Sequence, residues 1–361
     1  MYSLDSLDYT ILDRLQLNPF NLARISRDIK IPYHIVRRRV NRLLREYRIV
    51  RVYAEPIYPK LGLSIVVFIL NKQIETNIDL KIGYGSAKTK LLGEKTMLVY
   101  TIPKKFIRDL KKFIKILYGE RTVIRYGVYD KMIAGRKDFR SMDEEYIDKL
   151  DSYKTYSTLY DQEYNTPESF DQIDLYIIKE LQKDATTSIT DIARILHVDK
   201  QLVDYHLKRH VLARKLVVFN ARVFKDMEKQ PLWIFLSDFS TNNYINIIPI
   251  AEAIARLPFT SSIFLSDFSM MLITNLPTHL VLKLMQVLDR LLSRGIILDY
   301  EYYVQDPSFI PIRYTIPYRM YRNGAWRRSR ILKAVRKGKM ELVQEIKYIS
   351  EFNQNNNRIL L

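Results

Sequence analysis

The stretch LDSLDYTILDRLQLN, residues 4–18, decides how this chain is read, because it returns as FDQIDLYIIKELQKD at residues 170–184. The offset is 166 residues. After a one-residue gap the likeness resumes at an offset of 167. Residues 22–50 (LARISRDIKIPYHIVRRRVNRLLREYRIV) then lie against residues 189–217 (ITDIARILHVDKQLVDYHLKRHVLARKLV). Apolar positions coincide along both copies: Ile11 with Ile177, Leu15 with Leu181, Ile25 with Ile192, Val36 with Val203, Val40 with Leu207 and Ile49 with Leu216. A repeat of such long period means that one structural module is used twice.

Within the first copy, Leu4, Leu7, Ile11, Leu12 and Leu15 have helical spacing, and Asn18-Pro19 ends the helix. Leu22, Ile25 and Ile29 mark a short second helix. Ile31-Pro32 breaks it, and Tyr33–Tyr47 reads as a third helix with Val36, Val40 and Leu43 inward. Ile49–Tyr58 alternates as a β-wing does. Three helices with a short turn between the second and third make a winged helix-turn-helix.

A different pattern follows each copy. Ser64–Leu70, Thr96–Ile102 and Thr122–Tyr129 read as strands, Pro103–Tyr118 as an amphipathic helix, and Ile74–Ile82 as a weaker one. After the second copy come strands at Leu232–Leu236, Ser262–Leu265, Met270–Thr274 and Ile296–Val304, with helices at Tyr244–Ala255 and Thr278–Leu292. Both series have the βαββαβ order of a ferredoxin-like module. The expected architecture is α+β. Winged helix-turn-helix units occupy 1–58 and 170–225, and ferredoxin-like (RAM-like) modules occupy 59–140 and 226–306. An acidic linker spans 141–169. A basic helical C-terminal extension covers 307–361, with helices expected at Trp326–Arg336 and Met340–Phe352.

The chain has 361 residues, 47% of them hydrophobic and 27% charged, which suits several globular domains. It has no apolar run of the ~20 residues that cross a bilayer, and no signal peptide, so a cytoplasmic, nucleoid-associated place is expected. The absence of cysteine excludes disulfides and thiolate chemistry. No glycine-rich phosphate loop is present. His206 and His210 have the i, i+4 spacing of a metal pair, but no third ligand is near in sequence. No metal, no cofactor and no catalytic residue is therefore expected.

The net charge of +18 favours a polyanion as partner. It is uneven: +6 over residues 1–60, +10 over 61–140, −6 over 141–169, +3 over 170–225, −4 over 226–306 and +9 over 307–361. The two copies are therefore expected to do unequal work.

The opening residues Leu7, Asp8, Ile11, Leu12, Leu15 and Gln16, and their counterparts Ile173, Asp174, Ile177, Ile178, Leu181 and Gln182, carry a resemblance. With the wing and the βαββαβ module behind them, they resemble the Lrp/AsnC family of transcription regulators of bacteria and archaea. The resemblance covers most of residues 4–130 and 170–304. It implies promoter binding, dimers built through the sheets and often an amino-acid effector. Three departures stand out: two copies in one chain, no clear effector loop, and the basic tail. Two sheet modules in one chain can pair with each other as an internal pseudo-dimer, and its unequal readers need no palindrome. Further homo-oligomerisation through the sheets is also open.

In this motif the third helix enters the major groove. The DNA-binding candidates in the first copy are Tyr33, His34, Arg37, Arg38, Asn41, Arg42, Arg45, Arg48 and Arg51. In the second they are Lys200, Gln201, Tyr205, Lys208 and Arg209. Arginine forks suit guanine edges and phosphates. Asp204 stands where the first copy has Arg37, so the first copy is expected to be the stronger reader. Sequence-specific binding of double-stranded DNA is the leading reading, and the chain is expected not to be an enzyme. One alternative is an architectural module that docks on transcription machinery. The other is an enzyme: the same architecture resembles siroheme decarboxylases, with Arg51 and Arg125 as candidates for propionate contacts.

Overall fold

Asp5 accepts a hydrogen bond from the Asp8 amide, and Asp8 accepts one from the Asp5 amide, so the first helix opens with a reciprocal cap. The computed structural model describes residues 4–75, 82–139, 144–152, 165–223 and 230–338. Helices α1 (Ser6–Leu15), α2 (Leu22–Ile29) and α3 (Tyr33–Asn41) form the first unit. Beyond Asn41 the helix widens to i→i+5 hydrogen bonding over Arg42–Glu46 and closes with the Tyr47 amide on the Arg42 carbonyl. The chain then enters β1 (Val50–Pro56).

Strands β2 (Ser64–Leu70), β3 (Gly85–Leu91) and β4 (Lys95–Ile102), helix α4 (Ile107–Tyr118) and β5 (Val123–Tyr129) follow. The sheet order β5-β2-β4-β3 is the one a ferredoxin-like module requires. Of the helix expected at Ile74–Ile82, residues 76–81 lie outside the described residues, and residues 71–75 are irregular. After β6 (Lys131–Ile133) and α5 (Glu144–Asp148) comes the second unit: α6 (Gln172–Lys183), α7 (Ile189–Leu196), α8 (Lys200–Tyr205) and β7 (Val217–Val223). Here too the third helix widens, over His206–Leu212. The second module is β8 (Trp233–Asp238), α9 (Tyr244–Arg256), β9 (Ile263–Leu265), β10 (Ser269–Thr274), α10 (Thr278–Ser293) and β11 (Asp299–Val304), in the order β11-β8-β10-β9. The chain ends with β12 (Ile312–Arg313), β13 (Tyr321–Arg322), β14 (Ala325–Trp326) and α11 (Arg330–Arg336). The fold is thus mixed α+β, with antiparallel sheets and winged helix-turn-helix units, as expected.

The repeat extends to single backbone angles. Lys30 and His197, 167 residues apart, both end their helices in the left-handed conformation, at φ 55° and 54°. Arg48 and Lys215, equally spaced, do the same at 51° and 50°. Among the described residues neither wing is a hairpin. Each is a single strand, and β1 pairs antiparallel with β7, Val50 opposite Val223 through Pro56 opposite Val217. The middle pair of that ladder, Tyr53 and Asn220, are equivalent residues of the repeat. The ladder is thus symmetric about this pair.

The same symmetry exchanges the sheet edges. Strand β6, from the end of the first module, pairs with β9 of the second. Strand β12, from the end of the second, pairs with β3 of the first. Two glutamines tie each first helix to the end of its own half. Gln16 makes a two-bond clasp on the Lys137 backbone, at 3.0 and 2.8 Å, while its counterpart Gln182 accepts from the Ile316 amide at 2.8 Å.

The sheets face each other through an apolar layer that includes Ile65, Val67, Ile69, Met97 and Val99 on one side and Ile234, Leu236, Phe264 and Met271 on the other. Period-two alternation makes this possible: Phe68, Leu98 and Tyr100 point the other way, against α4.

The described part of the acidic linker is docked, and one helix boundary differs from expectation. Ile147 and Leu150 are buried among the helices of the second module, Lys283 pairs with Asp148, and Arg290 and Arg294 pair with Asp151. The negative stretch thus finds its cations on α10. The helix expected over Trp326–Arg336 begins at Arg330, because Ala325-Trp326 pairs with Tyr321-Arg322 as a hairpin. Trp326 is buried and donates to the Leu61 carbonyl at 2.8 Å. The helix expected at Met340–Phe352 lies outside the described residues.

Candidate nucleic-acid interface

Helix α3 packs through Val36 and Val40, with Leu43 beyond it, and this turns its arginines outward. Tyr33, His34, Arg37 and Arg38 are exposed, as are Arg45 and Arg48, whereas Asn41 and Arg42 are half-buried. The Asn41 amide donates to the Glu46 carboxylate at 2.8 Å. Arg39, between the exposed pair and the core, turns back to grip Asp5 and Asp8 at 2.6 and 3.1 Å.

An open cleft of about 860 Å³ lies between this helix and the second unit. Tyr33, His34, Arg37, Arg38, Asn41 and Arg45 line one side, and Thr186–Thr190 with Lys200 the other. No carboxylate is among its described lining residues. Arginine and lysine with hydroxyl groups around them match the donor chemistry that phosphates and base edges accept.

The second unit presents Lys200, Gln201, Tyr205, Lys208 and Arg209, all exposed. Asp204 is half-buried and paired with Lys208 at 2.6 Å, so a cation one turn away answers its charge. Of the five candidates only Lys200 reaches the cleft.

Arg51 is not among the residues that line this cleft, but it lines an adjoining one with Arg45, Arg48, Thr186, Thr187 and Ser188. Its guanidinium donates to the Lys183 carbonyl at 2.8 Å and to the Gln182 carbonyl at 3.2 Å, at the C-terminus of α6. Arg51 also faces Arg222 directly across the β1–β7 ladder. Like charges opposite one another destabilise a strand pair, so an anion there has something to offset. A cavity of about 590 Å³ lies on this side of the ribbon, lined among others by Arg51, Tyr53, Arg222 and Arg313. Arg222 donates to Asn275 at 2.6 Å. Desolvation in the cavity holds Arg222 below the ordinary guanidinium value and pushes Tyr53 up to about 12; Arg313, whose side chain keeps exposed surface, is lowered by desolvation and by the neighbouring Arg222 charge. Sequence reasoning missed Arg222 and Arg313, which belong to no motif. Only the antiparallel pairing of two wings, centred on equivalent residues, would have placed Arg222 opposite Arg51. Arg125, the other propionate candidate, is committed to Asp238 across the sheets at 2.5 Å.

The comparisons with known proteins agree with this arrangement in part. Residues 170–209 match the family model described as winged helix-turn-helix DNA-binding. No curated protein matches the chain. Among solved structures, siroheme decarboxylase NirDL is similar at 11% identity and a TM-score of 0.48, over 94% of this chain and 99% of that one. NirDL in co-complex with an iron-uroporphyrin III analogue is similar at 12% identity and a TM-score of 0.49, over 85% and 93%. PH0061 covers 36% of this chain and 92% of its own, at 19% identity and a TM-score of 0.24. The expectation that the chain is not an enzyme is withdrawn on this finding, because a decarboxylase resembles it along most of its length. No helix among the described residues is long and apolar enough to cross a membrane. The chain carries a winged helix-turn-helix of DNA-binding type in its second half, set in a mixed α+β frame that also holds the first copy of the repeat.

Proposed function

We propose that the chain is a sequence-specific regulator that binds double-stranded DNA as an internal pseudo-dimer. The observation that carries the reading is the acid-free cleft in which Arg37, Arg38, Arg45 and Lys200 converge with exposed Tyr33 and His34. The first unit is the stronger reader, with Arg37 and Arg38 at base edges, while Arg45, Arg48, Lys208 and Arg209 meet phosphates. Because the two readers differ, the preferred site is not a palindrome. The test is selection from random duplexes followed by affinity measurement at several salt concentrations. If about six cations meet phosphates, log K falls against log salt with a slope of about −5. The change Arg37→Ala with Arg38→Ala relaxes sequence preference, whereas Arg48→Ala weakens all duplexes alike. An unaltered preference in the double variant refutes the assignment. Retention of acidic protein partners after nuclease treatment, with no duplex preference, favours docking on transcription machinery instead.

The arginine-lined cavity beneath the ribbon favours a second reading, a site for a carboxylate-rich small molecule. Siroheme and the iron-uroporphyrin III analogue, the compounds for which the similar solved structures are named, are the first ligands to test by absorbance titration. A spectral shift that is lost in Arg313→Ala supports that reading, and no shift removes it.

A further inference from the structure

We propose that Asp171, Asp174, His206 and His210 form a divalent-metal site of zinc type that pins the second reading helix to its own first helix. Each residue offers one ligand atom, and these atoms lie within 4.8 Å of one another. The local fold explains why they converge. Asp171 and Asp174 are the reciprocal cap of α6. The Asp171 carboxylate accepts from the Ile173 and Asp174 amides at 2.8 and 3.0 Å, and the Asp171 amide donates to Asp174 at 2.9 Å. Backbone donors therefore fix both carboxylates, as outer partners do for metal ligands. His206 and His210 stand one widened turn apart, with ring centroids 4.6 Å from each other. Both Nδ1 atoms point at the same carboxylate: His206 at 2.9 Å from Asp174, and His210 at 3.2 Å from both Asp174 oxygens. The second His206 contact is Asp171, at 3.6 Å.

The repeat supplies an independent argument that this point takes a cation. In the first unit the same cap pair, Asp5 and Asp8, holds the Arg39 guanidinium at 2.6 and 3.1 Å. Arg39 aligns with His206, and Leu43 with His210, at the offset of 167. The second unit has thus lost the built-in cation and gained two imidazoles in its place. Asp174 is fully buried, so its charge is not answered by water. Two nitrogens and two carboxylate oxygens suit zinc, whose bonds of ~2.0–2.2 Å are reached by small side-chain rotations from the present spacing. The bound ion would do for the second reader what Arg39 does for the first. This inference does not depend on the DNA reading.

The test uses the full chain without an affinity tag, stripped with a chelator and titrated with zinc at neutral pH. The expected result is one tightly held equivalent per chain and a rise in Tm of at least ~3 °C. His206→Arg, which restores the first unit's solution, should need no zinc and show no such rise. His210→Leu, the first unit's residue at the other position, should weaken zinc binding at least ~10-fold while the chain stays folded. The proposal is overturned if the chain takes up no stoichiometric zinc, or if both variants bind zinc like the parent. It is equally overturned if zinc is without effect at neutral pH while lowering the pH in chelator stabilises the chain, since protonated histidines would then be the cation.

Discussion

Replacing Lys137 by methionine should change how the stability of this chain depends on pH more than it changes the stability itself. Lys137 is 2% exposed, and its ammonium donates to the Ala255 carbonyl at 2.6 Å, in the last turn of α9. Burial pulls its pKa from 10.5 down to about 8, against an opposing pull from Glu55. The unfolded chain therefore holds this proton more tightly than the folded one, and stability must rise with pH between those two values. From about pH 7 to about pH 10 the rise amounts to roughly 2.5 kcal/mol, at about 1.4 kcal/mol for each tenfold difference in proton affinity. Methionine has a similar length and no proton, so its variant lacks this rise. Urea unfolding of both proteins at several pH values measures it, because every other titrating group is common to the pair. A parent-minus-variant difference that stays flat across the range would refute the argument. The ammonium would then have to be hydrated in the folded chain.

Three further changes test the packing. Trp326→Ala removes a ring packed in tilted and edge-on contacts with Tyr84, Phe170 and Tyr321, together with the bond to Leu61, and should cost about 3–5 kcal/mol in denaturant unfolding. Arg328→Ala breaks a partly buried pair with Asp109 at 2.6 Å and should lower stability by about 1–3 kcal/mol, while duplex affinity stays within about twofold. A large loss of affinity instead would assign Arg328 to DNA. The hydrogen bond from Arg290 holds the Asp151 carboxyl below its ordinary value. That contribution is complete above the ordinary carboxylate range and fades as the pH falls through the lowered value, so Arg290→Leu should flatten the acid limb of the stability curve. An unchanged acid limb would show that α5 docks without this pair.

Much of the frame is readable from the residue pattern. Ser64–Leu70 forms the strand its apolar run predicts, and Thr278–Ser293 extends the expected helix by one residue. The strand is a continuous apolar run because both of its faces are buried, and the helix shows the 3.6-residue period of one buried face; a single sequence displays both. The exchanges between the sheets leave no such mark. Lys131–Ile133 and Ile312–Arg313 are too short to show alternation, and each finds its place only because a distant edge lacks a neighbour. The third helix of the first unit is legible for the same reason as Thr278–Ser293: Val36 and Val40 set the inward face, and Arg37 and Arg38 follow outward. The four-ligand cluster is half legible, since His206 and His210 sit four apart while Asp171 and Asp174 lie more than 30 residues upstream. What joins them is the packing of a cap against a third helix, which the first copy hides by using arginine.

The ladder centred on Tyr53 and Asn220 has a consequence for how such a protein can change over time. In a dimer of identical chains a substitution on the axis meets its own image, and any new binding preference appears on both sides at once. Here tyrosine meets asparagine, and Arg51 has valine as its counterpart. On the proposed DNA-binding reading, each half can drift while the other keeps its old contacts, so asymmetry can accumulate one residue at a time without a second gene or the mixing of subunits.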